Sequence, residues 1–111
     1  MTHLPQYRPA LRALREECPC LLPVRVRFLR TTRGTRRCAF AALNAAGAGF
    51  NITIFGLSSV GRALTDSELE DVIVHEWAHC RSWTPAVPGD VDHGPAWGLA
   101  YAECYRAAIA D

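Results

Sequence analysis

The chain has 111 residues and a mass of 12.2 kDa, half of its residues are hydrophobic, and its formal net charge is +1. A chain of this length builds one domain around one core, so we expect a single domain over residues 1–111. The balanced composition excludes an intrinsically disordered protein.

The first third of the chain predicts a helix followed by a β-hairpin. Residues 8–17 place Leu11 and Leu14 on one face among arginines, which is the pattern of a short amphipathic helix. Residues 24–32 begin with alternating apolar and arginine side chains, as a half-buried strand does. The turn sequence Thr-Arg-Gly-Thr then predicts that residues 37–44 return beside this strand as the second arm of a hairpin.

The remainder of the chain predicts a third strand and two further helices. Residues 50–58 are rich in β-branched and aromatic side chains, which favours a strand. The segment Thr-Asp-Ser-Glu at residues 65–68 has the form of a capping box, and it predicts a helix that ends near Ser82. Prolines and a glycine indicate a loop over residues 84–92, and Gly-Pro at 94–95 opens the last helix. The expected fold class is α+β.

Cysteine and arginine usage bears on compartment and partners. Five cysteines are an odd number without the spacing of a disulfide framework, so we expect free thiols in the cytoplasm. The segment Cys18-Pro-Cys20 has a closer spacing than structural zinc sites use, and a second cysteine pair is not evident. Without a long apolar run or a secretory signal, no membrane contact is expected. Nine of the twelve arginines fall in the first 37 residues, which indicates solvated faces or, as the alternative, contact with nucleic acid.

The pattern His-Glu-x-x-His occupies residues 75–79, in the middle of the capped helix. Side chains four residues apart lie about 5 to 6 Å from each other on a helix, so His75 and His79 can bind one tetrahedral Zn²⁺. Glu76 is then turned toward the open coordination position, where hydrolysis needs a general base. Two histidines packed in a helix without a metal are the alternative. The helical setting and a further histidine downstream, His93, favour a zinc site.

Together with His-Gly-Pro-Ala-Trp at residues 93–97, this motif resembles the SprT-like zinc metallopeptidases, which include Spartan, and most of all the short zincin-like proteins of phages and bacteria. The resemblance covers roughly residues 50–110. It implies a minimal zincin fold with His93 as the third zinc ligand. It also implies that an extended peptide substrate binds along strand 50–58, at the edge of the sheet. We expect a monomer, in the host cytoplasm if a phage encodes it, without the zinc ribbon or DNA-binding tail of larger relatives.

These residues predict a zinc-dependent metallopeptidase. Three neutral imidazoles leave Zn²⁺ a position for water, whose pKa the metal lowers toward about 7. Glu76 takes the proton of that water and returns it to the leaving nitrogen. Tyr101 and Tyr105 are candidates to stabilise the oxyanion, although aromatic residues on such a helix usually belong to the core. Asp92 is a candidate to orient the ring of His93.

Other functions are compatible with part of this pattern. A non-catalytic zinc-stabilised module would bind nucleic acid or a partner protein through the arginine-rich hairpin, but a closed structural site needs no glutamate beside an open position. A deformylase-like amide hydrolase takes a cysteine ligand from a Gly-Cys-Leu segment that this chain lacks. Metzincins require glycine at position 82 and histidine at position 85, where Ser82 and Pro85 stand.

The third ligand has one competitor, because gluzincins take a glutamate from the following helix and Glu103 is the only glutamate after the motif. The apolar spacing of that helix predicts one stripe that faces the core. Its members are Trp97, Tyr101, Cys104 and Ala108. Glu103 lies off this stripe and is spaced to pair with Arg106, so we expect it to be solvated and favour His93 as the ligand.

Overall fold

The computed structural model describes residues 8–29, 39–55, 64–83 and 94–109. The helices are α1 (Arg8–Glu17), α2 (Asp66–Arg81) and α3 (Pro95–Ala108), and the strands are β1 (Val24–Phe28), β2 (Ala39–Leu43) and β3 (Phe50–Ile54). This confirms the predicted α+β class and the order of the elements. None of the helices in these ranges is both long enough and apolar enough to span a bilayer.

The three strands form one mixed sheet in the order β1-β3-β2. β1 runs parallel to β3 with Val24 opposite Phe50, and β2 runs antiparallel to β3 with Leu43 opposite Phe50. The predicted hairpin between the first two strands is therefore wrong. β3 is the central strand because side chains on both of its faces are buried. Ile52, Thr53 and Ile54 are each at most 1% exposed.

The central position of β3 also corrects the predicted substrate strand. Residues 50–54 have a neighbouring strand on each side, so their backbone groups cannot pair with a peptide. Of the remaining residues of the predicted substrate strand, Phe55 is not part of β3, and residues 56–58 fall outside the described ranges. Of the three described strands, only β1 and β2 have an outer side to which an added strand can pair.

A tight turn of small residues joins β2 to β3. The Asn44 N–H donates to the Gly49 carbonyl oxygen over 2.8 Å, and the Gly47 N–H donates to the Asn44 carbonyl oxygen over 3.0 Å. Gly47 has a φ of +70°, in the left-handed region that glycine enters without a Cβ clash. The Asn44 side-chain oxygen accepts from the Ala48 N–H, which closes the turn.

Helix α2 begins at the capping box that the sequence predicted. The Thr65 hydroxyl accepts from the Glu68 N–H over 3.2 Å, and Glu68 Oε1 accepts from the Thr65 N–H over 2.8 Å. The helix packs against β2, β3 and α3, and its buried Trp77 donates from Nε1 to the Cys18 carbonyl oxygen over 2.8 Å. This bond ties the middle of α2 to the segment after α1.

Helix α3 packs against both other helices. Its fully buried positions are Ala100 and Cys104, whereas Trp97 and Tyr101 of the predicted core stripe are only half-buried. The predicted apolar stripe is therefore correct for Cys104. It is wrong for Trp97, whose ring lies against the histidines of α2 and not in the core.

Candidate metal centre

His75 and His79 lie one turn apart on α2, and their ring centroids are 5.0 Å apart with an interplanar angle of 65°. Two imidazoles that share one tetrahedral ion at about 2.0 to 2.1 Å from each ring nitrogen have centroids about 5 Å apart. Both side chains are half-buried, so they are held in place while one side remains accessible. The pair therefore fits a zinc ion without rearrangement of the helix.

Glu76 is buried, with 9% of its surface exposed. On an α-helix it follows His75 by about 100° and precedes the Cys80 position by about 40°, so it lies at the border between the histidine face and the core. The Glu76 carboxylate lies close enough to Cys80 to affect the pKa of the Cys80 thiol. Burial is the main cause that raises this pKa, and the nearby Cys20 and Glu76 raise it further. A carboxylate at this border has one side toward the histidines and little water on the other.

Trp97 forms a wall beside the two histidines. Its ring centroid lies 4.9 Å from that of His75 and 5.6 Å from that of His79. Its Nε1 donates to the His75 carbonyl oxygen over 3.3 Å. Proline at the first position of α3 fixes where this helix starts, two residues before the tryptophan. Trp97 therefore contacts both histidine rings and also bonds the backbone of the helix that carries them.

Tyr101 lies one turn further along α3, with its ring 6.4 Å from that of His75. Its hydroxyl donates to Oδ1 of Asp71, which precedes His75 by one helical turn on α2. Burial, and next the hydrogen bond to Asp71, raise the pKa of the Tyr101 phenol to about 12. Oxyanion stabilisation by Tyr101 stays a prediction, and it would require this hydroxyl to leave Asp71.

Tyr105 contacts Tyr101 instead of the histidines, at a centroid distance of 5.9 Å. Its role as an oxyanion donor also stays a prediction. Asp71 is the neighbour of the site that sequence reasoning missed. The signal was its position four residues before His75, which puts it on the same helix face.

Glu103 is directed away from the histidines. Its Oε1 accepts from Arg81 Nε over 3.4 Å, and 56% of its side chain is exposed. The expected pairing with Arg106 is thus replaced by an ion pair across helices, because the last turn of α2 brings Arg81 closer. Arg81 also donates from Nη1 to the Pro19 carbonyl oxygen over 2.6 Å.

The residues that the structure describes do not add a third ligand to the histidine pair. Within these ranges, no three histidine, cysteine, aspartate or glutamate side chains form a group that could hold a metal ion. His93 and Asp92 both lie outside them. The four described cysteines, which are Cys18, Cys20, Cys80 and Cys104, are free thiols. Burial raises the pKa of the Cys20, Cys80 and Cys104 thiols, so these three stay protonated at neutral pH.

Comparison of the chain with protein-family models, with curated proteins and with solved structures gave no match.

Proposed function

We propose that this chain is a zinc-dependent peptidase of the SprT-like zincin type. The observation that carries the proposal is the pair of imidazoles 5.0 Å apart on α2, with the buried carboxylate of Glu76 between them in sequence. His75 and His79 would hold the ion together with His93. Zinc bound there supplies a Lewis acid that polarises a carbonyl and acidifies water.

The chain's own residues perform the proton transfers in this proposal. The Glu76 carboxylate accepts a proton from the attacking water and delivers it to the nitrogen of the leaving amine. Its low exposure keeps competing water away, so the proton is returned to the substrate and not lost to solvent. Trp97 keeps the imidazoles in one orientation through its two ring contacts.

In this proposal the extended substrate pairs with the outer edge of β2. Within the described ranges no strand pairs there, and β2 packs against the helix that carries the histidines. β1 lies on the far side of β3 and is protected: Arg15 Nη2 donates to the Val24 carbonyl oxygen over 3.5 Å, and arginines alternate along the strand. The sequence of β2, Ala-Phe-Ala-Ala-Leu, has no charge that would oppose strand addition.

The test is a metal measurement coupled to hydrolysis of a peptide library, with Glu76→Gln as the decisive variant. We expect close to one zinc per chain in both proteins, because Glu76 is not a ligand. Cleavage should fall by about 10² to 10⁴ in Glu76→Gln, which is the usual contribution of a general base.

Two results would contradict the proposal. If the chain binds zinc but cleaves no peptide in the library, the function that remains is a non-catalytic zinc module with nucleic acid or a protein as its partner. Equal cleavage by wild type and Glu76→Gln would show that the measured activity does not come from this site.

A further inference from the structure

A row of aromatic rings leads away from the histidine pair along α3. Trp97, Tyr101 and Tyr105 follow each other at intervals of four residues, so they lie on one face of the helix. The Trp97 and Tyr101 rings are stacked at 5.0 Å with an angle of 17°, and Tyr101 and Tyr105 meet at 5.9 Å with an angle of 47°. Tyr105 is 40% exposed, so the row opens to solvent at its far end.

The faces of the two tyrosines have no cation from the described residues. The guanidinium that does lie over a ring is that of Arg15, 5.9 Å from the centroid of the buried Trp77. Arg81 is held at the last turn of α2 by Glu103 and the Pro19 carbonyl oxygen. Trp97 is stacked on one face of Tyr101, so the negative face that a positive group from outside the chain can reach is that of the exposed Tyr105.

A carboxylate stands at the same place. Asp71 is exposed and accepts the Tyr101 hydroxyl on Oδ1, so its charge is fixed beside the tyrosine ring. The phenol keeps its proton at neutral pH, since its pKa is about 12, and adds no second charge. Helix α2, which carries Asp71, is acidic as well: it contains five aspartates and glutamates but one arginine. Such a field attracts basic ligands.

We propose that Tyr101, Tyr105 and Asp71 form a subsite for a cationic side chain, arginine or lysine, of the peptide substrate. The inference rests on the proposed peptidase function and names its substrate class. The exposed face of Tyr105 and the carboxylate that Tyr101 holds match an alkylammonium or a guanidinium, whereas a neutral aromatic side chain would leave the carboxylate without a counter-charge. The subsite is connected to the histidines through Trp97, so the bound residue belongs to the segment near the cleaved bond.

The test measures binding without catalysis. Zinc-loaded Glu76→Gln protein is titrated with fluorescent peptides that carry arginine or its neutral isostere citrulline, and lysine or acetyl-lysine, at scanned positions. At one position we expect the cationic peptide to bind about 3- to 30-fold more tightly than its neutral match, the range given by an exposed cation–π contact together with an exposed ion pair.

Three variants assign this preference to the subsite. Tyr105→Leu removes a ring face and Asp71→Asn removes the charge, and each should reduce the preference to within about twofold. Tyr105→Phe keeps the face and should retain it. Glu70→Gln is the matched control, because it makes the same change in net charge from the neighbouring position of α2 and should retain the preference.

The outcomes separate the two proposals. No preference at any position, or a preference that survives both Tyr105→Leu and Asp71→Asn, overturns the subsite even if wild type cleaves peptides. If Asp71→Asn is unfolded by circular dichroism, the comparison of Tyr105→Leu with Tyr105→Phe decides alone, since Tyr105 is partly exposed. Selective binding without any cleavage by the zinc-loaded wild type overturns the peptidase proposal and leaves a cation-binding surface.

Discussion

Arg81 and Glu103 meet at 3.4 Å between Nε and Oε1, and they join the last turn of α2 to α3. Arg81 follows His79 by two residues, which is about 200° around the helix, so the ion pair forms on the side of α2 away from the histidines. We therefore expect Glu103→Ala to leave zinc affinity unchanged. His93→Ala should weaken zinc affinity by more than about 100-fold. This exceeds the loss that is usual when the removed residue only hydrogen-bonds a metal ligand.

A zinc-competition titration of both variants measures this. The ion pair is exposed, so Glu103→Ala should cost less than about 1 kcal/mol of stability, and loss of fold would not confuse the comparison. The opposite ranking would move this protein into the gluzincin class.

Strand addition at β2 makes a prediction about single backbone groups. The Asn44 N–H donates toward β3, and alternation along the strand then turns the Ala41 N–H outward. N-methylation of a peptide substrate should weaken its binding to Glu76→Gln protein by about 2- to 10-fold at every second backbone nitrogen, one lost hydrogen bond each time.

Ala41→Pro should raise KM for the same peptides, because it removes an outward donor while the ladder to β3 keeps its bonds. Arg25→Gln on β1 is the control and should leave cleavage unchanged. If Arg25→Gln changes KM and Ala41→Pro does not, the substrate lies on the other edge of the sheet.

The cap of α2 contributes to stability independently of any metal. Thr65→Ala removes the acceptor of the Glu68 N–H and should lower the free energy of unfolding by about 1 kcal/mol, within a range of about 0.5 to 2. Urea denaturation of the metal-free protein measures it. Thr65→Ser keeps a hydroxyl and should remain within a few tenths of a kcal/mol of wild type. Equal losses in the two variants would show that the hydroxyl does not act as the cap.

Thiol labelling of the folded protein should depend steeply on pH at Cys20. Burial raises the pKa of this thiol to about 11, and the nearby Arg81 offsets part of the rise. At pH 8 only about one molecule in 10³ then carries the thiolate, against roughly a quarter for a free thiol with a pKa near 8.5. The rate of alkylation should rise about tenfold per pH unit from pH 7 to 10, because the thiolate is the reactive form.

Mass spectrometry of iodoacetamide-treated protein follows this reaction, with Cys20→Ser to assign the modified position. Rapid labelling of Cys20 at pH 7 would mean that the segment after α1 is more open than the structure shows.

Local signals in the sequence were sufficient for most elements. The capping box located the start of α2, the Gly-Pro pair located α3, and the leucine spacing gave α1 its bounds at residues 8–17. Strand pairing could not be derived in the same way, because alternation fixes which face a strand buries but not which strand lies beside it. The hairpin prediction failed for that reason.

The site also combines features that one helix determines with features that depend on packing between helices. The motif spacing placed His75 and His79 together, since one helix holds both. The contacts of Trp97, Tyr101 and Asp71 depend on how α3 crosses α2, and a single helix's periodicity cannot give that crossing. Periodicity predicted Trp97 to be a core residue. The apolar spacing of a helix does not distinguish a side chain that packs on an imidazole from one that packs on leucine.

The parallel pairing of β1 with β3 has a consequence for how the chain folds. β2 and β3 are joined through a turn of about six residues, whereas each pair between β1 and β3 spans 26 positions, as from Val24 to Phe50. Closing the longer segment costs about 1.3 kcal/mol more in chain entropy than closing the shorter one, by logarithmic scaling with length. The β2–β3 unit is thus expected to nucleate the sheet, with β1 docking afterwards onto a preformed edge. Substitutions in β1 should then act mainly on the unfolding rate, and those in the turn at Gly47 on the folding rate.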